Sequence, residues 1–214
     1  MIYIIYYTDS QLDPEIAEPC RKNLLRAAQE IPIISISQEP LDFGVENICV
    51  GRLKRKIQSM DKQIMCGCQN LSDYDYVFLC EHDVMYHPSY FSVLPYDQSR
   101  WLFNLNRWFY WPGDGVCCKD KRCNRRTLSQ AVMTKKQLVE AYIQRGKTWN
   151  DRSVPSRLYW ESLWPNIDIR HGHNLSKGHL KRRLHKLGIK KNITEVPGWV
   201  REGRLFRPDG DSRR

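Results

Sequence analysis

Glu81, His82 and Asp83 close an apolar run within the stretch "YVFLCEHDVMYHPSYF" (76–91). The run 76–80 reads as a buried strand, and strands of that kind do not usually end in charge. Extended backbone places an acid-x-acid pair on one side of the chain, so Glu81 and Asp83 are expected to point together. Hard oxygen donors at this density suit Mg²⁺ or Mn²⁺, ions that bridge a protein carboxylate to a diphosphate. The plain alternative is a solvated loop acid. The apolar "MYHPSYF" that follows directly argues against a free surface loop.

Such a pair needs elements to hold it. Residues 2–7 ("IYIIYY") are β-branched and aromatic and predict a buried strand. Residues 14–30 carry Ile16, Cys20, Leu24 and Ala27 or Ala28 at helical spacing, and 31–37 predict a second strand. Residues 50–71 place Leu53, Ile57, Met60, Ile64 and Cys68 on one face and predict a second helix. Residues 74–80 are the third strand. This alternation is the pattern of an open, mainly parallel α/β sheet with flanking helices, a Rossmann-like fold class. Ligands bind such sheets outside the carboxyl ends of the strands, where Glu81-His82-Asp83 falls. Further on, 100–111 predicts one strand, 127–146 an amphipathic helix ending at Gly146, 150–157 a loop, and 166–176 a short strand running into a turn. By strand alternation, Asn104, Asn106 and Trp108 share a face, and that face is expected to meet an acceptor or a sugar.

The 214 residues predict one domain over 1–176, with a basic extension over 177–214 packed on it or continuous with it. No apolar run approaches the roughly 20 residues of a membrane span, and the first ten residues lack the basic start and small-residue cleavage site of a secretory signal. The expected place is therefore the cytoplasm, with no membrane partner. Residues 1–100 carry 9 basic and 14 acidic side chains, and the remainder carry 25 and 10. A basic back half suggests a polyanionic partner, against the alternative of a merely solvated surface. If 179–191 is helical, Lys181, Arg182, Lys186 and Lys190 line one side and can follow a phosphate backbone. Cys20, Cys49 and Cys80 lie in apolar stretches and read as core residues. Cys66, Cys68, Cys117, Cys118 and Cys123 could supply zinc ligands, but their spacing is not the paired C-x2-C of a strong zinc signal.

Several blocks carry a resemblance to a known family. "YYTDSQLDPEI" (6–16), "IISISQEPLDFG" (33–44), the long block 60–91 with its E-H-D-V-x-Y-H-P core, "FNLNRW" (103–108), "PNIDIRHGHNLS" (165–176) and "TEVPGW" (194–199) resemble the GT-A-type nucleotide-sugar glycosyltransferases, and closely a branch of them encoded by phages and in uncultured viral sequence. The resemblance implies a GT-A-like sheet and a divalent ion, Mn²⁺ or Mg²⁺, held by Asp83 with Glu81 and by a late histidine, His171. His173 falls at a variable position of the pattern. It places Thr8, Asp9, Gln63 and Arg170 around the nucleotide-sugar donor, with UDP-sugars the expected class. Cys66 and Cys68, where relatives have Ala and Leu, then read as core filler.

The implied reaction is attack of an acceptor hydroxyl on the donor's anomeric carbon, the nucleoside diphosphate leaving. An inverting course needs a general base, for which Glu161 and Asp168 are the nearest acids to the marker block. Relatives carry an acid just before the Pro-Asn, where this chain has Leu163-Trp164. Asn106, Trp108 and the four basic residues of 179–191 are the expected acceptor contacts. The favoured acceptor is double-stranded DNA carrying a hydroxymethylated pyrimidine such as hydroxymethylcytosine, because ordinary bases offer no aliphatic hydroxyl. A glycan or protein acceptor is the second reading. A non-catalytic nucleic-acid-binding protein or an HNH-like nuclease, suggested by "HGHN", is the third.

Overall fold

A computed structural model describes residues 1–54, 56–113, 115–120, 127–148, 156–171, 195–202 and 205–209. The chain opens with β1 (Ile2–Tyr7), α1 (Pro14–Ala28), β2 (Ile33–Ser37), β3 (Glu46–Cys49), α2 (Ile57–Gly67) and β4 (Tyr76–Glu81). β5 (Val84–Met85) follows at once, then β6 (Trp101–Asn104), β7 (Arg107–Trp111), β8 (Val116–Lys119) and β9 (Ala131–Thr134). α3 (Lys135–Thr148), β10 (Arg157–Trp160), β11 (Asn166–Ile169), β12 (Trp199–Glu202) and β13 (Leu205–Pro208) complete it. The result is the expected mixed α/β architecture, a large and mainly parallel sheet flanked by helices.

Seven strands form the large sheet in the order β10-β6-β9-β4-β1-β2-β3. Neighbours are parallel except around β9, which runs antiparallel to β4 and to β6. From β1 the chain moves outward through β2 to β3, and β4 then lies on β1's other flank. That reversal is a topological switch point, and in open α/β sheets the ligand crevice lies at such a point, here the carboxyl ends of β1 and β4.

Local sequence explains the flanking helices. Asp13 caps α1 by accepting the Glu15 amide at 2.9 Å, with Pro14 in the first turn. The buried stripe of α1 is Ala17, Cys20, Asn23, Leu24, Ala27 and Ala28. Leu24, Ala27 and Ala28 join Ile4, Tyr6, Phe78 and Cys80 in the core beneath one face of the sheet. The other face packs Ile5, Tyr7, Val77 and Leu79 against Ile64 and Cys68 of the α2 segment and Leu138 of α3. α2 comes close because residue 67 is glycine: a Cβ there would lie 2.4 Å from Ile36 Cδ1.

A second sheet, β5-β11-β7-β8, stands beyond the crevice. One of its faces buries Met85, Tyr110, Cys117, Ile167 and Ile169 against Cys20 and against Val196, Trp199, Leu205 and Phe206. The segment 195–209, with its β12–β13 hairpin, is therefore packed on the same body.

Several expectations need correction. The predicted strand 100–111 is two strands in two sheets, broken where the Arg107 amide turns back to Leu105 O at 3.0 Å. The predicted helix 127–146 begins with strand β9 and becomes helical only at Lys135. The helix predicted over 50–71 is confined to Ile57–Gly67, and Leu53 lies outside it, its amide on Gln38 Oε1 at 3.0 Å. Arg157, placed in a loop, starts β10. Cys49 is exposed rather than buried. The basic stretch 179–191, with Lys181, Arg182, Lys186 and Lys190, lies outside the described residues, as do His173 and Cys123.

Candidate metal centre

The crevice at the switch point collects the ends of β1, β2 and β4. Thr8 and Asp9 follow β1, Gln38 follows β2, and Glu81 closes β4 before the turn through His82 and Asp83. Ser10, at φ 58°, turns the chain so that its hydroxyl accepts the Gln38 and Glu39 amides, each at 3.2 Å. The first and second loops are thereby tied together.

β11 brings the remaining part from the second sheet. It pairs antiparallel with β5, Asp168 opposite Val84 and Ile167 opposite Met85. The Ile169 amide donates to Asp83 O at 2.8 Å, and the Arg170 amide donates to Tyr110 O at 2.7 Å. Gripped on both sides, the strand end delivers His171 to the turn after β4. His171 Nε2 lies 3.2 Å from Asp83 Oδ2.

Among the described residues, His82, Asp83 and His171 form a group whose ligating atoms all lie within 4.8 Å of one another. The two imidazoles stand 6.4 Å apart, tilted at 61°. Asp83 is buried. Burial alone would raise its carboxyl, but the His171 hydrogen bond and the charges of His82, His171 and Arg170 outweigh it and hold the group below the usual carboxylate range. A carboxylate kept ionised between two imidazoles is a chemically sound set of donors for a divalent transition-metal ion.

Asp83 and His171 meet as expected, and Glu81 does not join them. Its register partner in β4–β1 pairing is Tyr7, whose hydroxyl donates to Glu81 Oε1 at 2.8 Å. The backbone is not extended between Glu81 and Asp83, because β4 ends and the chain turns. Glu81 is hydrogen-bonded to Tyr7 and stands outside the cluster, and burial with the nearby Asp83 charge pushes it up to about 8. His82 takes the place expected for Glu81. Its signal in the sequence was its position between two acids at a strand end.

The expected donor residues are differently occupied. Thr8 Oγ1 lies 2.7 Å from His82 Nδ1, and Asp9 Oδ1 lies 3.7 Å from the same nitrogen. Gln63 is buried, and its amide donates to Thr8 O at 2.7 Å and Ile36 O at 3.2 Å, stapling the ends of β1 and β2 rather than facing the crevice. Arg170 Nη1 donates to Asp168 Oδ1 at 3.1 Å, and Arg107 Nη1 lies 3.8 Å from Asp168 Oδ2. Arg107 also bonds Asp120 and Thr127. Both guanidinium groups lie over the Phe109 ring, at 4.9 and 5.5 Å. Burial raises the Asp168 carboxyl, Asp83 adds to this, and the two arginines act against it.

Asp168 is thus a bridge between two arginines, and its fit as a general base is poor. Glu161 fits no better: it is exposed, and its Oε2 lies 3.4 Å from Lys119 Nζ. The expected Asn104-Asn106-Trp108 face does not exist, because the strand breaks between them. Asn106 Nδ2 donates to Ser162 O at 2.8 Å, inside an amide network with Asn104, Gln130 and Asn166. Trp108 packs against the third core beside Ile16. Arg107 was not anticipated, and an arginine at the head of the aromatic run 108–111 was its one sign.

No known protein family matches the chain, and no curated protein does. Among solved structures the chain is similar to the bifunctional IspDF from Campylobacter jejuni, at 11% identity and a TM-score of 0.43, over 75% of this chain and 49% of that one. The chain thus spans about half the length of that protein. No helix among the described residues is long and apolar enough to cross a membrane.

Proposed function

We propose that this chain is a metal-dependent glycosyltransferase of the GT-A type, moving a sugar from a nucleotide-sugar to a hydroxyl acceptor. The observation that carries the reading is the His82–Asp83–His171 cluster at the switch-point crevice. Carboxyl-end crevices of this kind bind nucleotide-type ligands, and the block resemblance supplies the reaction class. Two imidazoles and one carboxylate favour Mn²⁺ over Mg²⁺, since Mg²⁺ prefers an all-oxygen shell. With the ion in place, charge developing on a departing nucleoside diphosphate is offset. Around it the chain contributes a preorganised setting: Asp83 stays ionised, Asp168 and Phe109 fix Arg170, and the β5–β11 pairing fixes His171.

The acceptor we favour is duplex DNA carrying a hydroxymethylated pyrimidine. Its support is the nucleophile such a base offers and the 25 basic against 10 acidic side chains after residue 100. The test is incubation with Mn²⁺ and a panel of UDP-sugars on unmodified and hydroxymethylated DNA, followed by digestion and mass analysis of the nucleosides. A hexose or pentose adduct on hydroxymethylated DNA alone is the expected result. Transfer to a glycan acceptor, with none to any DNA, would move the assignment there. Hydrolysis or binding without transfer in any arm would remove the transferase reading.

A further inference from the structure

Thr8 and Asp9 are expected around the nucleotide-sugar donor, and the structure gives them other work. Thr8 Oγ1 is 2.7 Å from His82 Nδ1, and Asp9 Oδ1 is 3.7 Å from it. Both side chains are fixed by their own backbone. Thr8 Oγ1 accepts the Ser10 amide at 3.0 Å, and Asp9 Oδ1 accepts the Gln11 amide at 3.1 Å. The Thr8 main chain is fixed as well, its amide on Ile36 O at 3.0 Å and its carbonyl taking Gln63 Nε2 at 2.7 Å. Thr8 is buried. A hydroxyl held this firmly is part of a built support.

We infer that Thr8, with Asp9 behind it, is a positioning residue for the metal ligand His82, holding the ring as its Nδ1–H tautomer so that Nε2 supplies the coordinating lone pair. The inference rests on the metal-site reading above. A neutral imidazole carries one N–H and one lone pair, and the group at one nitrogen decides what the other presents. Nδ1 faces the Thr8 hydroxyl, which can accept as well as donate, and the Asp9 carboxylate at 3.7 Å, which can only accept, and that pairing favours the proton on Nδ1. Metal-ligating histidines are commonly held by an acceptor at the outer nitrogen, which fixes ring orientation and raises ligand basicity. In this chain a hydroxyl stands nearest, with a carboxylate just beyond. The two residues after β1 therefore act on the ion through His82, and the discrimination of the nucleobase falls to other groups.

The experiment titrates Mn²⁺ and Zn²⁺ by calorimetry into the wild type, Thr8→Val, Thr8→Ser and Asp9→Asn. Alongside it, ¹⁵N spectra of the imidazoles are recorded with Zn²⁺, which is diamagnetic. Thr8→Val is expected to weaken ion binding about 10–100-fold, the range for loss of an outer partner. Thr8→Ser should restore most of the loss, and Asp9→Asn should lie between. The spectrum of the Zn²⁺-loaded wild type should show His82 protonated at Nδ1. Full-strength ion binding by Thr8→Val, or an ion on Nδ1 of His82, overturns the inference and leaves the metal site standing. A wild type that binds neither ion overturns both together. If Thr8→Val does not fold, the wild-type spectrum and Asp9→Asn still decide the matter.

Discussion

At the residue scale, two neighbouring acids have different fates. Asp83 is held ionised by His171, His82 and Arg170, while Glu81 faces Tyr7 and is pushed toward its neutral form. Asp83→Asn should abolish Mn²⁺ binding, whereas Glu81→Gln should leave it within a few-fold of wild type, both read by calorimetry on folded protein. A wild type that binds Mg²⁺ as tightly as Mn²⁺ would contradict the donor set. Arg107 is the second residue of note. Its guanidinium is buried with Asp120 and Asp168, so removing it takes a charge partner from two buried acids, Asp168 keeping Arg170. Arg107→Met is expected to destabilise the fold by about 3–5 kcal/mol, the cost typical of breaking a buried pair. At about 2–4 °C per kcal/mol for a chain of this size, the melting temperature should fall by roughly 10 °C.

At the element scale, the loop between β10 and β11 is braced by the C-terminal segment. Trp199 Nε1 donates to Pro165 O at 2.8 Å, and Gly198, at φ +78°, leaves so little room that a Cβ would lie 2.4 Å from Trp164 Cγ. Gly198→Ala should therefore combine backbone strain with a clash and lower stability by about 1–3 kcal/mol. Thermal melting would show it, and an unchanged melting temperature would mean the brace carries no weight. Of the first sheet the sequence revealed β1, β2 and β4, ran β6 together with β7, and missed β3, β9 and β10, for a physical reason. β1 and β4 are nearly continuous apolar runs and β2 is broken only by the buried serines Ser35 and Ser37, the form of strands buried on both faces. Val132 and Met133 of β9 are just as buried, but Ala131–Thr134 runs directly into α3, and Leu128, Ala131 and Val132, followed by Leu138, Ala141 and Tyr142, stand at helical spacing on either side of the junction. β5 and β11 are short, and their importance comes from pairing across the chain. Asp83 was legible because it follows directly on an apolar strand, and His171 only through the resemblance of the block 165–176. His82 and Arg107 were not, since their roles come from partners distant in sequence.

At the scale of the whole molecule, His87 marks where the two sheets meet. Its amide donates to Asn166 Oδ1 at 2.9 Å, its Nδ1 accepts the Ser89 amide at 3.2 Å, and its ring lies against Trp199 at 5.6 Å. An N–H donor at Nδ1 requires the lone pair there, and burial lowers this imidazole to about 4. The unfolded chain, with an ordinary histidine near 6.5, binds the proton first as pH falls. Stability is therefore complete above about pH 6.5 and declines as the pH drops toward 4. His87→Asn keeps an acceptor for the Ser89 amide without a titrating ring. Its melting temperature should hold across that window while the wild type's falls. Parallel slopes for the two proteins would place the acid sensitivity elsewhere.

The contact between His171 and Asp83 spans 88 positions of the chain. Closing a loop of that length costs about 4 kcal/mol of chain entropy by the ideal-chain estimate, and nothing is returned until both ends have arrived. The cluster is thus a late product of folding: a growing chain that has completed β4 holds His82 and Asp83 but has no third ligand until β11 has been synthesised and paired. An ion that binds only the finished cluster also acts as a latch, adding about 2.7 kcal/mol to global stability at a hundred times its dissociation constant. If the cluster holds an ion as proposed, this order of assembly would delay its capture until the fold is nearly complete, and the bound ion would secure the last strand to be added to the second sheet.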